Sequence, residues 1–261
     1  MGIEIVCPPI RRVYEDPQII VLDKPAGLVT MPGPAHEKYE ETLAGWLLSH
    51  VGSSLKNVGL EGRWGIVHRL DKDTSGLLIC GKTQKAFEYL ISQFKKKGVK
   101  KKYLALVWGR IEKCKMKNEK IKINTPIARN PKNRLRFCAR EEGKEAVTEF
   151  RVLGTRMLGT RTLGLDANIL DANFSFVEAY PLTGRTHQIR VHLKHIGHPI
   201  VGDYFYSGRK RFRFAKNVLG LQRQFLHASG LCFKLLDGTV AEFTSELPED
   251  LKNCLAQFTS L

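Results

Sequence analysis

Gly65-Ile66-Val67-His68-Arg69-Leu70-Asp71-Lys72-Asp73-Thr74-Ser75-Gly76-Leu77-Leu78-Ile79-Cys80 runs from a charged segment straight into an apolar one. His68, Arg69 and Lys72 supply cations or potential cations, Asp71 and Asp73 carboxylates, Thr74 and Ser75 hydroxyls. The apolar end, Gly76–Cys80, predicts a short strand. A polar loop fixed to the end of a strand is a good seat for catalysis, because the sheet holds its side chains still. Asp-Lys-Asp-Thr-Ser-Gly is also ordinary turn chemistry, and taken alone it favours a turn.

Working outward, Ile19-Ile20-Val21-Leu22 follows the turn signal Asp16-Pro17 and reads as a buried strand, ending in a Pro- and Gly-containing loop, Asp23-Lys24-Pro25-Ala26-Gly27. Thr42–Val51 predicts a helix with Leu43, Trp46, Leu47 and Val51 on one stripe. Thr83 is the expected N-cap of a second helix reaching about Lys97, with Gly98 as its stop. Strands are expected at Tyr103–Trp108, Arg134–Cys138, Ala146–Leu153, Phe174–Ala179, Phe225–Phe233 and Val240–Phe243. Thr186–Ile196 predicts a helix, with Ile189, Leu193 and Ile196 as its apolar stripe. A near-repeat, Leu153-Gly154-Thr155-Arg156 then Leu158-Gly159-Thr160-Arg161, is too short for a solenoid and reads as a hairpin or loop excursion. Strands mixed with a few helices, without regular alternation, indicate an α+β fold: a largely antiparallel mixed sheet with flanking helices. No low-complexity linker divides the 261 residues, so one domain over 1–261 is expected.

The formal net charge of +16, from 42 Lys and Arg against 26 Asp and Glu, predicts a polyanionic partner. The lysines cluster as Lys95-Lys96-Lys97 and Lys100-Lys101-Lys102, then Lys113, Lys115, Lys117, Lys120 and Lys122. A further basic stretch, Arg209, Lys210, Arg211 and Arg213, is interleaved with Phe212 and Phe214, which suit either base stacking or core anchoring. The six cysteines are scattered with no C-x-x-C pair, so reduced thiols in the cytoplasm are expected, with Cys80 and Cys232 buried. No secretory signal and no membrane-spanning stretch is read.

The second informative stretch is Leu182-Thr183-Gly184-Arg185-Thr186-His187-Gln188-Ile189-Arg190-Val191-His192-Leu193. Arg190 sits at the margin of the apolar stripe, where partial burial would demand a carboxylate partner. A surface arginine satisfies the same periodicity. His187, His192, His195 and His198 are dense, but no His-Glu-x-x-His pattern accompanies them. Helix-face, capping and RNA-contact roles account for them, so no metal is expected.

Together these stretches resemble the RluA-type pseudouridine synthases. His68 to Leu78 resembles the family's nucleophile motif, and Val21 to Leu28 its first motif. Lys102 to Gly109 resembles the tyrosine-bearing strand, Thr183 to Leu193 with Gly197 to Asp203 the third motif, and Leu226-His227-Ala228 the last. The motifs keep the family's order over roughly residues 14–247. Many members carry an N-terminal S4 RNA-binding domain, and none is expected here.

The resemblance implies a single catalytic domain with an active-site cleft. It implies isomerisation of uridine to pseudouridine: the N1–C1′ bond breaks, the uracil turns, and C5 joins C1′. Neither redox change nor hydrolysis occurs, so no cofactor is expected. Asp71 maps to the nucleophile, which attacks only when ionised. Arg190 maps to the arginine that opposes the rise in pKa that burial causes. Tyr103 maps to the tyrosine against the uracil ring, and is a candidate for proton removal at C5. Attack on ribose, attack on the base and a glycal route all remain open. A uridine in folded RNA must be flipped out, and Arg69 matches the residue that takes the vacated space. His68 fits capping or base contact. Lys100, Lys101, Lys102 and Arg185 are expected on RNA, and Leu226 either beneath the uracil or in the core. The partner implied is structured RNA bound by a monomer. Large-subunit ribosomal RNA ranks first, because Asn124 to Phe150 resembles the branch acting there, and transfer RNA second. A non-catalytic RNA-binding protein on the same scaffold is the rival, disfavoured by the joint presence of Asp71, Tyr103 and Arg190.

Overall fold

The computed structural model describes residues 9–31, 41–111, 120–158 and 173–260. In chain order the elements begin with β1 (Arg11–Glu15), β2 (Ile19–Lys24), α1 (Leu43–His50), β3 (Ser75–Gly81) and α2 (Gln84–Lys95). Then come β4 (Lys100–Trp108), β5 (Ile121–Asn124), β6 (Ile127–Arg129), β7 (Phe137–Ala139), β8 (Val147–Leu158) and β9 (Asn173–Pro181). The remainder holds α3 (Gln188–His195), α4 (Arg209–Asn217), β10 (Leu226–Lys234), β11 (Val240–Thr244), α5 (Glu249–Leu255) and β12 (Phe258–Ser260). They fall into two compact units, residues 1–100 with 228–245 and residues 101–227 with 246–261. The strand pairs within each unit are antiparallel, and the class is α+β as expected.

In the first unit β2 pairs with β1 on one side and with β3 on the other. Ile19 to Leu22 and all seven residues of β3 are buried, so these strands are covered on both faces. β10 lies next to β3 and forms a hairpin with β11. Both helices are capped by threonine, α2 as the sequence predicts and α1 by the residue expected to be its first: the Thr42 hydroxyl accepts the Gly45 N–H and the Thr83 hydroxyl accepts the Ala86 N–H, each at 3.2 Å. α2 stops sooner than expected. Lys97 takes the left-handed position with φ 58° and the Gly98 N–H reaches back to the Gln93 carbonyl at 2.8 Å, which places Gly98 one step beyond the reversal.

The second unit is built on the meander of β8 and β9 with β4. β9 pairs with β4 on one side and β8 on the other, and β5 and β12 share the outer edge of β8 at its two ends. The first copy of the near-repeat is not a loop but lies within β8. Val152 faces Val177 and Gly154 faces Phe176, so Leu153 is the extra residue of a bulge and is 40% exposed. Gly159 to Arg161 of the second copy lie outside the described residues, as do Cys7, Cys114, Lys113, Lys115 and Lys117. The strand expected at Arg134–Cys138 shrinks to β7. The Asn130 side chain accepts the N–H of Lys132 and Asn133, turning the chain before it can extend.

α3 begins two residues later than expected, because His187 adopts the left-handed conformation (φ 56°). It is not a one-stripe helix: Gln188 to Leu193 are all buried. Each polar residue among them is met by hydrogen bonds. Cys232, expected inside, is partly exposed, whereas Cys80 is fully buried. No helix among the described residues is long and apolar enough to cross a membrane.

Gly76 shows how tightly the nucleophile-motif strand is packed. Its φ is +112°, and a Cβ there would stand 2.3 Å from the Ala228 carbonyl oxygen of β10. Gly76→Ala is therefore expected to destabilise the protein by about 2–3 kcal/mol, read as a lowered urea midpoint at unchanged slope.

Candidate active site

The Asp71 loop is fixed from both flanks by groups of its own unit. The Thr30 hydroxyl, 1% exposed, donates to the Leu70 carbonyl at 2.8 Å. On the other flank the Lys72 carbonyl accepts from Lys24 Nζ at 3.0 Å and from the Gly27 N–H at 3.0 Å. Lys24 is completely buried, and its ammonium also donates to the carbonyls of Pro25 and Leu28, each at 2.8 Å. An ammonium in the interior is tolerable only when its three donors are matched, and here three carbonyls match them. Gly27, with φ +86°, makes the turn that brings the Pro-Ala-Gly segment onto Lys72. A turn closes inside the loop, the Thr74 N–H donating to the Asp71 carbonyl at 3.1 Å. The turn chemistry and the clamp coexist: the backbone on either side of Asp71 is immobilised while its side chain stays half-exposed.

His68 and Arg69 separate at this point. His68 Nε2 accepts the Ile79 N–H at 3.1 Å and its ring rests against Phe94, centroids 4.9 Å apart. Arg69 is exposed next to the buried Leu70. Lys100, also in this unit, is exposed.

In the second unit Arg190 is 4% exposed and its partner is Asp203, 0% exposed. Nε donates to one carboxylate oxygen at 2.7 Å and Nη2 to the other at 2.9 Å. Asp203 Oδ1 also accepts the N–H groups of Phe205 and Tyr206, at 3.0 and 3.1 Å. The guanidinium carbon lies 5.1 Å from the Tyr206 ring centroid. Burial of the arginine thus comes with the carboxylate it requires, supplied from the segment after α3. α3 is further fixed by a directional chain of hydrogen bonds. Gln188 Nε2 donates to the Thr148 hydroxyl at 3.0 Å, which leaves that hydroxyl to donate to His192 Nδ1 at 2.9 Å. His192 Nε2 then donates to the Thr125 carbonyl at 3.0 Å. Burial lowers the His192 pKa and favours the neutral ring this chain requires.

Tyr103 is 8% exposed near the start of β4, opposite Ala179 of β9. Two residues earlier, Lys101 is half-buried with its amine as the enclosed end. Nζ donates to the Thr183 carbonyl at 3.2 Å, and desolvation pulls its pKa down to about 8. Lys102 is half-buried. Arg185 is exposed; its Nε donates to the Glu145 carbonyl at 2.9 Å, and it borders a cavity of about 460 Å³ also lined by Arg129, Phe137 and Lys144. Leu226 is 3% exposed. Lys120, grouped with the basic runs, belongs to the sheet: it pairs with Glu149 at 3.0 Å and lies over the Tyr180 ring at 4.3 Å.

Sequence reasoning missed Lys24, Thr30 and Asp203. Lys24 carried a usable signal, since strand alternation past Asp23 puts it on the same face as the buried Leu22, just before a proline. Asp203 was legible only as part of Gly202-Asp203, with nothing in its spacing to Arg190 to reveal the pair.

The family model described as RNA pseudouridylate synthase matches residues 18–195. The ribosomal large subunit pseudouridine synthase D of Zymomonas mobilis is 36% identical over 248 residues, 94% of this chain and 71% of that protein. The protein of the same name from Borreliella burgdorferi is 36% identical over 252 residues, 96% of this chain and 69% of its own. Among solved structures, human RNA Pseudouridylate Synthase Domain Containing 1 superposes with a TM-score of 0.70 at 26% identity, covering 97% of this chain and 89% of that one. Read with the motifs and their settings, these likenesses show that the chain belongs to the RNA pseudouridylate synthase family, in its RluA-type branch, and is an isomerase.

Proposed function

We propose that Asp71 is the nucleophile of this RNA pseudouridine synthase, that Arg190 keeps it ionised, that Tyr103 lies against the uracil, and that the substrate is large-subunit ribosomal RNA. The observation that carries the reading is the double clamp on the Asp71 loop. A carboxylate that must meet one carbon of a flipped nucleoside gains from a backbone that does not move, and buried groups on both sides supply that here. Asp203 takes the Nε edge of Arg190 and so orients the rest of the guanidinium fork, which the proposal assigns to Asp71. Arg69, exposed beside the clamped residue, suits the role of filling the space of the extruded base. Lys100, Lys101, Lys102 and Arg185 are the proposed phosphate contacts, and Leu226 is the apolar floor under the uracil. Large-subunit RNA is supported by the names of the Zymomonas and Borreliella relatives. The four described cysteines are free thiols, which suits a cytoplasmic enzyme. The reading takes the chain as a monomer whose two units act together as one catalytic domain.

Release of tritium from C5-labelled uridine in ribosomal RNA tests the nucleophile. Asp71→Asn should lower turnover by about 10⁴-fold or more while RNA affinity stays within roughly threefold; turnover near wild type removes Asp71 from the mechanism. Mapping pseudouridines in cells that lack the protein tests the substrate: loss at a transfer-RNA site with ribosomal sites intact reassigns it.

Arg190 and Asp203 separate stability from chemistry. Asp203→Asn strands a buried guanidinium and should cost about 3 kcal/mol in urea unfolding. The double variant Arg190→Met/Asp203→Leu replaces the pair by apolar volume and should regain most of that stability with no activity. A double variant that turns over would show that the cation is not needed.

Lys101 gives a pH signature. Its ammonium is charged at pH 7 and loses its proton as pH rises through about 8. RNA affinity should therefore weaken roughly 3- to 10-fold between pH 7 and 9, a dependence that Lys101→Arg abolishes because its charge persists. Identical pH profiles for the two proteins would exclude Lys101 as a phosphate contact.

A further inference from the structure

α4 breaks the usual rules for helix charge. Arg209, Lys210 and Arg211 occupy its first turn, where the positive end of the helix dipole disfavours cations, and no acidic residue accompanies them. Arg209 and Arg213 are four residues apart, Arg213 and Lys216 three, so like charges stack along the surface. Arg209, Lys210, Arg213 and Lys216 are all exposed. Among the described residues none of them forms a salt bridge. Only Lys216, in the last turn, sits where the helix dipole favours a cation.

The helix is nevertheless firmly seated. Phe214 is 5% exposed and meets the Trp108 ring edge-on at 5.6 Å, and the Arg211 guanidinium lies 5.5 Å from that ring's centroid. With Phe214 and Ala215 buried, 3.6 residues per turn bring Arg209, Arg213 and Lys216 within about 60° of one another on the outer side. Phe212 borders that stripe, half-buried, and Tyr204 packs edge-on against it at 5.2 Å and 80°. Tyr204 is 65% exposed, an unusual display for a tyrosine held on both sides, its other neighbour being Phe205 at 5.4 Å. Its segment is rigid: Asp203 accepts the N–H groups of Phe205 and Tyr206, and the Ser207 hydroxyl returns to the Asp203 carbonyl at 2.6 Å.

We infer that the outer stripe of α4 and Tyr204 form a docking platform for RNA distinct from the uridine site. The phosphodiester backbone crosses Arg209, Arg213 and Lys216, and an unpaired base stacks on Tyr204. Exposed cations with no salt-bridge partner among the described residues, beside a rigid, exposed ring, are the combination that single-stranded nucleic acid recognises. Trp108, which seats the helix, stands five residues beyond Tyr103 on β4, about 16 Å along the strand. The RNA held there is flanking sequence, on the order of five nucleotides of helical strand from the target. The platform therefore selects among RNAs and leaves the chemical step untouched. This inference rests on the RNA synthase reading.

The test compares Arg209→Gln/Arg213→Gln/Lys216→Gln and Tyr204→Ala with wild type, on ribosomal RNA and on a short stem-loop carrying the target uridine. For the triple variant kcat of tritium release should be unchanged and KM on ribosomal RNA raised about tenfold. The slope of log affinity against log salt should become shallower by roughly 2 to 3. Thermal stability should hold, because relief at Arg209 beside the positive end of the helix dipole offsets the loss of Lys216 at the negative end, so a folding defect would not be mistaken for the effect. Tyr204→Ala should raise KM with the salt slope intact, and Tyr204→Phe should restore it. On the stem-loop all variants should match wild type. A triple variant with wild-type KM and salt slope on ribosomal RNA overturns the platform. If wild type releases no tritium from any RNA, the catalytic reading fails instead, and the salt slopes of binding still decide the platform.

Discussion

The buried ion pair between Arg190 and Asp203 is the constraint on which much of the second unit turns. Two charges withdrawn from water are tolerated only if each is nearly saturated with partners. Asp203 achieves this with two guanidinium bonds and two backbone N–H groups. The saturation has a structural consequence: one carboxylate fixes the orientation of a side chain on α3 and the path of the segment that follows Gly202. The arginine proposed for chemistry and the tyrosine proposed for RNA docking are thus held by the same anion.

The first unit solves a similar problem with a cation held by main-chain carbonyls. Lys24 spends its three donors on backbone carbonyls from two segments far apart in sequence. Carbonyl acceptors are directional and sit on the main chain, so the ammonium fixes backbone positions rather than another side chain. Thr30 does the same on the opposite flank. The result is a loop in which Asp71 is half-exposed but the backbone is not free to drift. Gly76 completes it by letting β3 approach Ala228 more closely than any other residue would permit.

The surplus positive charge is sorted by its surroundings. Lys24 and Arg190 serve the interior, Lys120 is bound into the sheet by Glu149 and Tyr180, and desolvation lowers the pKa of Lys101 to about 8. Arg209, Lys210, Arg213 and Lys216 of α4 are exposed. That sorting is invisible in the net charge, which treats all of them alike.

The α+β class, the capped helices α1 and α2, the paired strands and the family motifs were legible in the sequence, because side-chain periodicity, capping hydroxyls and contiguous motifs are local signals. Asp71, Tyr103 and Arg190 were nominated for the same reason: each sits inside a continuous motif. The partner of Arg190, the burial of Lys24, the bulge at Leu153 and the full enclosure of α3 were not legible. Each depends on which segments far apart in sequence come together, and a period of 2 or 3.6 residues carries no information about that. Phe214 makes the point in one residue: local spacing allowed base stacking or core anchoring, and only the position of Trp108, against which it is buried edge-on, made it a core anchor.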